Sequence, residues 1–229
     1  MRFSNTLALL SMGAMASASA LPNMLGAYDL AMPIAERDVP TIECDNEPMY
    51  TGSLKLVSAK GRESNAAFEG IRNADGLQQL DVGKAGAAAR EERFSFTSCR
   101  SSFMGYDTEY TKAAEVYFGR LQPASLVGKR CVSASQLAVD SARLVADKCS
   151  SSDDSGQMLQ FWVLTKQPTG NGEEFTYYLS FPGQPKDDGS GDFSGSYTIS
   201  KVTQDNNKLV KLAYEEEEGA PSPYFLKLA

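Results

Sequence analysis

Short runs in which apolar and polar residues alternate recur along this chain, and they constrain its fold more than any other feature. The runs cover residues 53–56, 93–97, 115–118, 160–163, 178–181, 196–199 and 224–228. Clusters of Gly, Ser, Asn and Asp separate them, as expected for strands joined by turns. Two stretches, residues 84–93 and 108–115, favour a helix instead. Many short strands with turns between them predict an all-β sandwich or closed barrel.

A short motif, Tyr-x-Gly-x-Leu, occurs twice. It stands at residues 50–54 and 117–121, and a third copy without the glycine begins near Tyr177. The copies divide the chain into three segments of similar length. Internal repetition of this kind indicates that each segment folds as the same unit, so three units predict a threefold architecture.

The start of the chain has the layout of a signal peptide. A positive charge at Arg2 is followed by an apolar stretch over residues 7–16 and then by small residues. The stretch is too short to span a bilayer, which takes about 20 apolar residues, and a buried core helix is the alternative interpretation. We therefore expect a signal peptide over residues 1–20, an N-terminal arm or pro-segment over 21–43, and one secreted, extracellular domain over 44–229.

Four cysteines remain in the predicted domain: Cys44, Cys99, Cys131 and Cys149. An even number of cysteines in an oxidising compartment predicts two disulfides. Three pairings are possible, and the pairing of Cys131 with Cys149 and of Cys44 with Cys99 needs the fewest crossings. The chain has no C-x-x-C pair and no histidine, so we expect no zinc or other metal site.

The absence of histidine limits the chemistry available to the chain. It excludes Ser-His-Asp and Cys-His catalysis, and paired cysteines exclude a thiolate nucleophile. Any enzyme would have to use carboxylates, Tyr or Lys, and we expect no enzyme and no cofactor. The net charge of −7 and the pI near 4.8 would repel phosphate backbones and anionic lipids. We therefore expect neither nucleic acid nor a membrane as a partner.

The segment from Gly119 to Trp162 carries the most specific pattern. It opens with Gly119-Arg-Leu, has a glycine shortly before Cys131 and a second cysteine at Cys149, and closes with Gln160-Phe-Trp162. This segment resembles one repeat of the ricin B-type β-trefoil lectins. The resemblance implies a β-trefoil of three unequal repeats with long loop insertions, and a bridge between the two cysteines of this repeat. It also implies that Trp162 fills the core and that Gln160 forms hydrogen bonds beside it.

The sugar-binding positions of the resembled family are altered in this segment. Active repeats carry an aspartate two residues after the first cysteine, and here that residue is Ser133. They also carry an aromatic ring before the second cysteine, where this chain has Val145-Ala-Asp147. Asp140 or Asp147 could act as the carboxylate, and solvated loop acids are the alternative interpretation. This repeat therefore lacks both the family's carboxylate and its aromatic platform.

Three further groups have a functional and a structural interpretation. In residues 187–192, possible calcium ligands occur at every second position, as in an EF-hand loop. The Gly and Glu that such a loop requires are absent, so a polar hairpin loop is the ordinary interpretation. Asp153 and Asp154 are expected to cap a turn before the Gln-x-Trp strand. Six tyrosines could form a binding surface or pack inside the fold: Tyr50, Tyr106, Tyr110, Tyr117, Tyr177 and Tyr178.

These observations favour a secreted, monomeric, non-enzymatic binding protein that resembles small secreted fungal proteins. Its expected partner is a glycan or another extracellular ligand. The alternative is a protein-interaction trefoil, either a protease inhibitor or a secreted effector that acts on a host protein, with residues 61–93 and 187–195 as protruding loops. A glycosidase remains a third hypothesis because two carboxylates suffice for that reaction, although no pattern singles out a pair.

Overall fold

The computed structural model describes residues 40–84, 86–110, 114–169, 174–186, 195–216, 219 and 221–229. The predicted signal peptide lies outside the described residues, as do residues 21–39 of the predicted arm and residues 187–194 of the acidic loop. The regular structure in the described part is β-strand apart from one short 3-10 helix, Ser155–Leu159. No helix in these ranges is long and apolar enough to cross a membrane.

In chain order the strands are β1 (Glu43–Cys44), β2 (Tyr50–Ser58), β3 (Glu63–Asn65), β4 (Gln78–Gln79), β5 (Asp81–Lys84), β6 (Ala87–Ala88), β7 (Arg93–Arg100), β8 (Glu109–Tyr110), β9 (Glu115–Pro123), β10 (Arg130–Ala134), β11 (Ala142–Lys148), β12 (Trp162–Thr169), β13 (Glu174–Ser180), β14 (Ser196–Gln204), β15 (Asn207–Glu215) and β16 (Tyr224–Leu228).

Six of these strands form a closed barrel. Strand β2 pairs with β7, β7 with β9, β9 with β12, β12 with β13, and β13 with β16, always antiparallel. The barrel closes because β16 pairs again with β2, which sets Leu228 opposite Leu54. A closed sheet leaves no unpaired barrel edge and encloses a core.

Other strands form three hairpin units, each inserted in the chain between two barrel strands. Strands β3, β4 and β5 lie between β2 and β7, β10 and β11 between β9 and β12, and β14 and β15 between β13 and β16. The units pair with one another, since β11 pairs with β4 and β15, and β15 pairs with β5. Each third of the chain thus contributes two barrel strands and one hairpin unit.

The prediction of an all-β chain is confirmed, and the two helix predictions are wrong. In residues 84–93, β6 pairs with β5 as a hairpin whose turn contains Gly86 at a φ of 86°. A helix cannot accommodate that backbone conformation. In the described part of residues 108–115, β8 pairs with β9. Pairing with a neighbouring strand therefore overrides the local preference for helix.

Strand contacts explain the two glycines of the Tyr-x-Gly-x-Leu motif. A Cβ atom on Gly119 would lie 2.0 Å from the carbonyl oxygen of Thr97, and one on Gly52 would lie 2.6 Å from the carbonyl oxygen of Ala229. No side chain fits at either place. The leucine that ends each copy is fully buried in the core. The motif thus marks where the first barrel strand of a third approaches its neighbour and enters the core.

The closing Gln-x-Trp motif lies inside the molecule. Trp162 is fully buried, and its indole Nε1 donates a hydrogen bond to the carbonyl oxygen of Val132 (2.8 Å). The Gln160 side chain accepts from the backbone N–H of Ser150 (2.9 Å) and donates to the carbonyl oxygen of Lys148 (2.8 Å). These bonds tie the end of β11 to the start of β12. Both side chains therefore hold the fold together rather than face a ligand.

The two disulfides join the cysteines whose pairing needs the fewest crossings. Cys44 is bonded to Cys99, which fastens β1 to β7, and Cys131 is bonded to Cys149, which joins the open end of the β10–β11 hairpin. No free cysteine remains. Among the described residues, no three Cys, Asp or Glu side chains stand close enough together to hold a metal ion.

The segment over residues 61–93, predicted as a protruding loop insertion, is packed into the fold instead. The backbones of Ala67 and Asp81 exchange two hydrogen bonds of 2.9 Å, which makes this part of the chain an irregular hairpin. Phe68 and Leu80 of the hairpin are fully buried in the core. Its apolar residues do not alternate along the sequence, and the pattern that identifies strands elsewhere is therefore missing here.

Candidate functional site

An open cleft lies beside the disulfide of Cys44, where the chain enters the fold. Strand β1 runs antiparallel to the end of β7 and sets Glu43 opposite Arg100. The backbone N–H of Asp45 then donates to the carbonyl oxygen of Ser98 (2.9 Å). A disulfide and backbone hydrogen bonds therefore fix this wall of the cleft.

Residues 40–43, which the sequence assigns to the arm, are bonded to the folded body. The backbone N–H of Ile42 donates to the carbonyl oxygen of Ser151 (3.0 Å), and that of Asp153 donates to the carbonyl oxygen of Pro40 (2.6 Å). The segment that leads into β1 is therefore held as firmly as the strand itself.

We name this feature the Cys44 cleft; its volume is about 360 Å³. Four charged side chains line it: Glu43, Asp45, Arg100 and Asp107. All four are exposed to solvent. Two aromatic rings also line it: Tyr106 and Phe118. The cleft therefore combines three carboxylates, one guanidinium group and an aromatic wall.

Tyr106 forms the accessible part of the aromatic wall. Its ring stacks on buried Phe118, with ring centroids 4.8 Å apart and an interplanar angle of 11°. Its hydroxyl donates a hydrogen bond to the carbonyl oxygen of Gln184 (3.3 Å). Burial raises the pKa of the Tyr106 phenol, so the hydroxyl remains a donor at neutral pH. Phe118 covers one ring face, and the half-buried Tyr106 lines the cleft.

A carboxylate from a distant part of the chain holds the loop that carries Tyr106. Asp153 accepts hydrogen bonds from the hydroxyls of Ser101 and Ser102 and from the backbone N–H groups of Ser102 (2.8 Å) and Phe103 (3.4 Å). Burial alone would raise the pKa of Asp153, but these hydrogen bonds outweigh burial and hold the pKa below its ordinary value. The charged carboxylate is therefore part of the loop's structure.

Met104 anchors the same loop from inside. Its side chain is fully buried, and its carbonyl oxygen accepts from the backbone N–H of Lys186 (2.8 Å). Gly105 then turns the chain with a φ of 68°, in the left-handed region that glycine enters without strain. The aromatic wall is thus attached to a fixed loop.

The chemistry of the Cys44 cleft suits a small ligand rich in hydroxyl groups. Carboxylates accept hydrogen bonds from ligand hydroxyls, and the Arg100 guanidinium donates to ligand oxygens. An aromatic ring offers a face on which the apolar side of a sugar ring can pack. The carboxylates are exposed, so the cleft offers no carboxyl group within an apolar pocket, the environment that makes a carboxyl a general acid at neutral pH.

The two aspartates predicted from the resemblance lie at opposite ends of β11. Asp140 precedes the strand and is exposed, with its carbonyl oxygen accepting a hydrogen bond from Lys211 (3.2 Å). The carboxylate of Asp147 accepts from the backbone N–H of Lys148 (2.6 Å). Six residues lie between the two, five of them on β11, which sets the aspartates about 20 Å apart. They therefore form no common site, and neither lines the Cys44 cleft.

Ser133 occupies the position where active repeats of the resembled family carry an aspartate. It is buried on β10, and its hydroxyl has no hydrogen-bond partner among the described residues. A ligand outside the molecule cannot reach it. The usual sugar-binding position of the family therefore faces the interior in this repeat.

The six tyrosines separate into one cleft residue and several packing residues. Tyr50 and Tyr177 stack on each other with ring centroids 3.9 Å apart, and together with Tyr117 they pack against the core. Tyr178 contacts Phe225 edge to face. The side chain of Tyr110 lies outside the described part of the chain. Among those described, Tyr106 alone lines the Cys44 cleft.

Sequence reasoning missed the charged residues of the cleft. They come from three stretches, residues 43–45, 98–100 and 106–108, which share no motif. The pairing of β1 with β7 brings the first two stretches together, and the loop held by Asp153 adds the third. The expected bond between Cys44 and Cys99 was the one sequence signal that places the first two stretches side by side.

The chain matches no model of a known protein family, no curated protein and no solved structure. The case for a function therefore depends on the geometry and chemistry of the molecule itself.

Proposed function

We propose that this chain is a secreted, non-enzymatic β-trefoil protein that binds a carbohydrate in the Cys44 cleft. One observation carries the proposal: an open cleft sets the ring of Tyr106 beside the carboxylates of Asp45 and Asp107. The ring provides a surface for the apolar face of a sugar, and the carboxylates accept its hydroxyl hydrogens. A concave site with few polar groups and an aromatic wall is typical of small-ligand binding.

The β-trefoil part of the proposal draws support from the arrangement of strands. Six strands close a barrel, and three hairpin units pair with one another. In each third of the described chain, the inserted strands lie between two barrel strands, an order that is typical of a trefoil. We also propose a monomer, because each barrel strand is paired on both sides within the chain, and β3 and β10, which end the path of paired strands, are only three and five residues long.

The two disulfides support the secretion part of the proposal. Disulfides persist in oxidising compartments, and this chain has all four cysteines paired. The predicted signal peptide over residues 1–20 accords with that environment. An extracellular location also brings the cleft into contact with surface and matrix glycans.

The positions of the acids support binding rather than catalysis. Buried acids among the described residues are engaged by the backbone: Asp81 accepts from the N–H of Gly83 (2.9 Å), and Glu92 accepts from the N–H of Phe68 (2.6 Å). The carboxylates of the cleft are exposed. With no histidine in the sequence and no free cysteine, catalysis would depend on carboxylates, Tyr or Lys, and the acids of the cleft are exposed.

A glycan array tests the proposal directly. We expect the purified protein to bind a restricted set of glycans, and Tyr106→Ala to weaken that binding by about tenfold through loss of the stacking surface. Phe103→Ala is the matched control, because Phe103 is an exposed ring on the same loop that does not line the cleft. Absence of any glycan above background would reject the proposal, as would equal losses in the two variants.

A protein-binding role, as a protease inhibitor or host-directed effector, is the second proposal. Its support is the loop between β9 and β10, where the apolar side chain of Val127 is 95% exposed. Burial of this side chain against a partner would remove its apolar surface from water. Pull-down from extracellular fluid with the protein and with Val127→Asp tests this role, and recovery of the same proteins by both would reject it.

A further inference from the structure

A second cleft lies on another part of the surface and shares no residue with the Cys44 cleft. Its volume is about 470 Å³. The turn between β2 and β3, strand β14 and the start of β16 form its walls, and Leu56 closes it toward the core. The side chains used below are Ser58, Lys60, Arg62, Ser64, Lys201 and Tyr224. We name it the Lys201 cleft.

The Lys201 cleft is positively charged on a protein whose net charge is −7. Lys60, Arg62 and Lys201 are exposed cations, and no described carboxylate lines the cleft or pairs with any of them. The acid of β3, Glu63, pairs with Lys227 instead (3.0 Å). Uncompensated cations that converge on a cavity attract anions more strongly than cations scattered over a surface.

The structure directs the side chain of Lys201 and holds the backbone of Arg62. The ammonium group of Lys201 lies 5.0 Å from the centre of the Tyr224 ring, where the π-electrons attract it. Arg62 belongs to a closed turn, since its backbone N–H donates to the Ser58 hydroxyl (3.1 Å) and its carbonyl oxygen accepts from the backbone N–H of Ser58 (2.9 Å). Less side-chain freedom of Lys201 is therefore lost when an anion binds.

From this geometry we propose that the Lys201 cleft binds an anionic sugar unit of an acidic polysaccharide, either sulfated or carboxylated. The three cations pair with the sulfate or carboxylate group through charge-assisted hydrogen bonds. The hydroxyl of Ser64 lines the cleft, and that of Ser58, which accepts from Arg62, keeps its O–H to donate to a sugar oxygen. This site is independent of the proposed sugar site in the Cys44 cleft, and either can fail without the other.

The overall charge of the protein favours a polysaccharide over other polyanions. A nucleic acid duplex or an anionic bilayer presents a wide negative surface to a protein that is negative overall, and the two repel. A single anionic sugar unit can enter a cleft of about 470 Å³ and does not place a wide negative surface against the rest of the protein. Repulsion by the rest of the protein is smallest for that ligand.

Calorimetric titration with dextran sulfate and with polygalacturonate tests the proposal, with unsulfated dextran as the neutral probe. We expect binding to one or both polyanions at low salt, binding that weakens as salt rises, and none to dextran. The triple variant Lys60→Ala, Arg62→Ala, Lys201→Ala should bind about tenfold more weakly or worse, because three charge-assisted contacts are lost. The arms with sulfate and carboxylate probes identify which anion the cleft takes.

The control is a second triple variant that removes the same charge elsewhere. Lys84, Lys129 and Lys148 are exposed and do not line the cleft, so their replacement by Ala should leave binding almost unchanged. Tyr224→Phe should bind as the parent protein does, and Tyr224→Leu should bind several-fold more weakly because the ring no longer holds Lys201. Thermal unfolding shows whether each variant is folded. If the first triple variant is not, the same titrations are made with Lys201→Gln, which should also bind more weakly.

Three outcomes would overturn the proposal. The first is no binding to either polyanion. The second is an equal loss in the two triple variants, which would indicate attraction by overall charge. The third is tight binding to phosphatidylserine vesicles or to single-stranded DNA with neither polysaccharide bound, which would make the cleft a phosphate site of another class.

Discussion

Among single residues, two buried aspartates are held in opposite ways. Burial raises the pKa of Asp81, a hydrogen bond from the backbone of Gly83 lowers it in part, and the charge of Glu69 raises it further. Asp153 is also buried, yet hydrogen bonds from the loop beside the Cys44 cleft bring its pKa below the ordinary value. The ionised form is therefore favoured at Asp153 and disfavoured at Asp81.

These environments predict opposite pH dependences for Asp153→Asn and Asp81→Asn. A lowered pKa in the folded state gives stability that is present above the ordinary value of 3.8 and is lost as pH falls through the folded pKa. Asp153→Asn should therefore lower the free energy of unfolding by about 1–3 kcal/mol at pH 7 and by less at pH 3. A raised pKa in the folded state gives stability that is lost as pH rises. The loss in free energy of unfolding caused by Asp81→Asn should therefore be smaller at pH 7 than at pH 3.

Urea unfolding of the three proteins between pH 3 and pH 7 measures both trends. The parent protein is the reference at each pH, so that only differences between proteins enter. If the loss in free energy of unfolding changed with pH in the same direction for both variants, the opposite pKa shifts of Asp153 and Asp81 would be contradicted.

The close approach of strands at Gly119 gives a second prediction at this scale. Gly119→Ala forces its Cβ atom against the backbone of Thr97, so we expect a loss of about 1–3 kcal/mol in the free energy of unfolding. Gly156→Ala is the control, because there the nearest atom, 3.0 Å away, is a side-chain oxygen of Asp154 and not a backbone atom. Equal losses in the two variants would show that strand approach does not explain the glycine.

Among the elements, the two disulfides differ in what they hold in place. The Cys131–Cys149 bridge closes a hairpin over 18 residues, whereas the Cys44–Cys99 bridge spans 55 residues and fixes β1, a wall of the Cys44 cleft. In the chain-entropy description, removal of the first costs about 3 kcal/mol and removal of the second about 4 kcal/mol. Similar losses of stability should therefore accompany very different effects on ligand binding.

Paired Cys→Ser variants test this difference. Cys44→Ser with Cys99→Ser should lose most glycan binding because β1 can leave β7, and Cys131→Ser with Cys149→Ser should bind as the parent protein does below its melting temperature. Glycan binding is measured at 10 °C, and a separate thermal scan gives the melting temperature of each variant. Retained binding in the first pair would show that β1 is not needed for the site.

The sequence predicts elements well where the packing is regular. Barrel strands alternate because one face meets the core, and residues 93–97 and 224–228 could be identified for that reason. The hairpin within residues 61–93 escaped prediction because its backbone bonds are interrupted by bends, and its buried residues follow no period. The local helix preference of residues 84–93 gave a wrong prediction, because the pairing of β6 with β5 decides the structure there.

At the scale of the whole molecule, the sequence predicts an all-β chain, and the regular structure of the described residues is β-strand apart from one short 3-10 helix. Trp162 and Gln160 are buried and hydrogen-bonded to backbone carbonyl oxygens, so their roles are set by the core. The candidate sites were not predictable in the same way. The Cys44 cleft depends on contacts between residues some 50 positions apart, such as Asp153 with Ser102, and no local pattern records them.

The central claim, that the Cys44 cleft binds a carbohydrate, is tested most directly by nuclear magnetic resonance. The ¹⁵N-labelled protein is titrated with the strongest glycan from the array while its backbone amide signals are followed. The account predicts shifts concentrated at residues 43–45, 98–100 and 106–108, with the largest near Tyr106. Shifts confined to another surface, or none at saturating glycan, would contradict it.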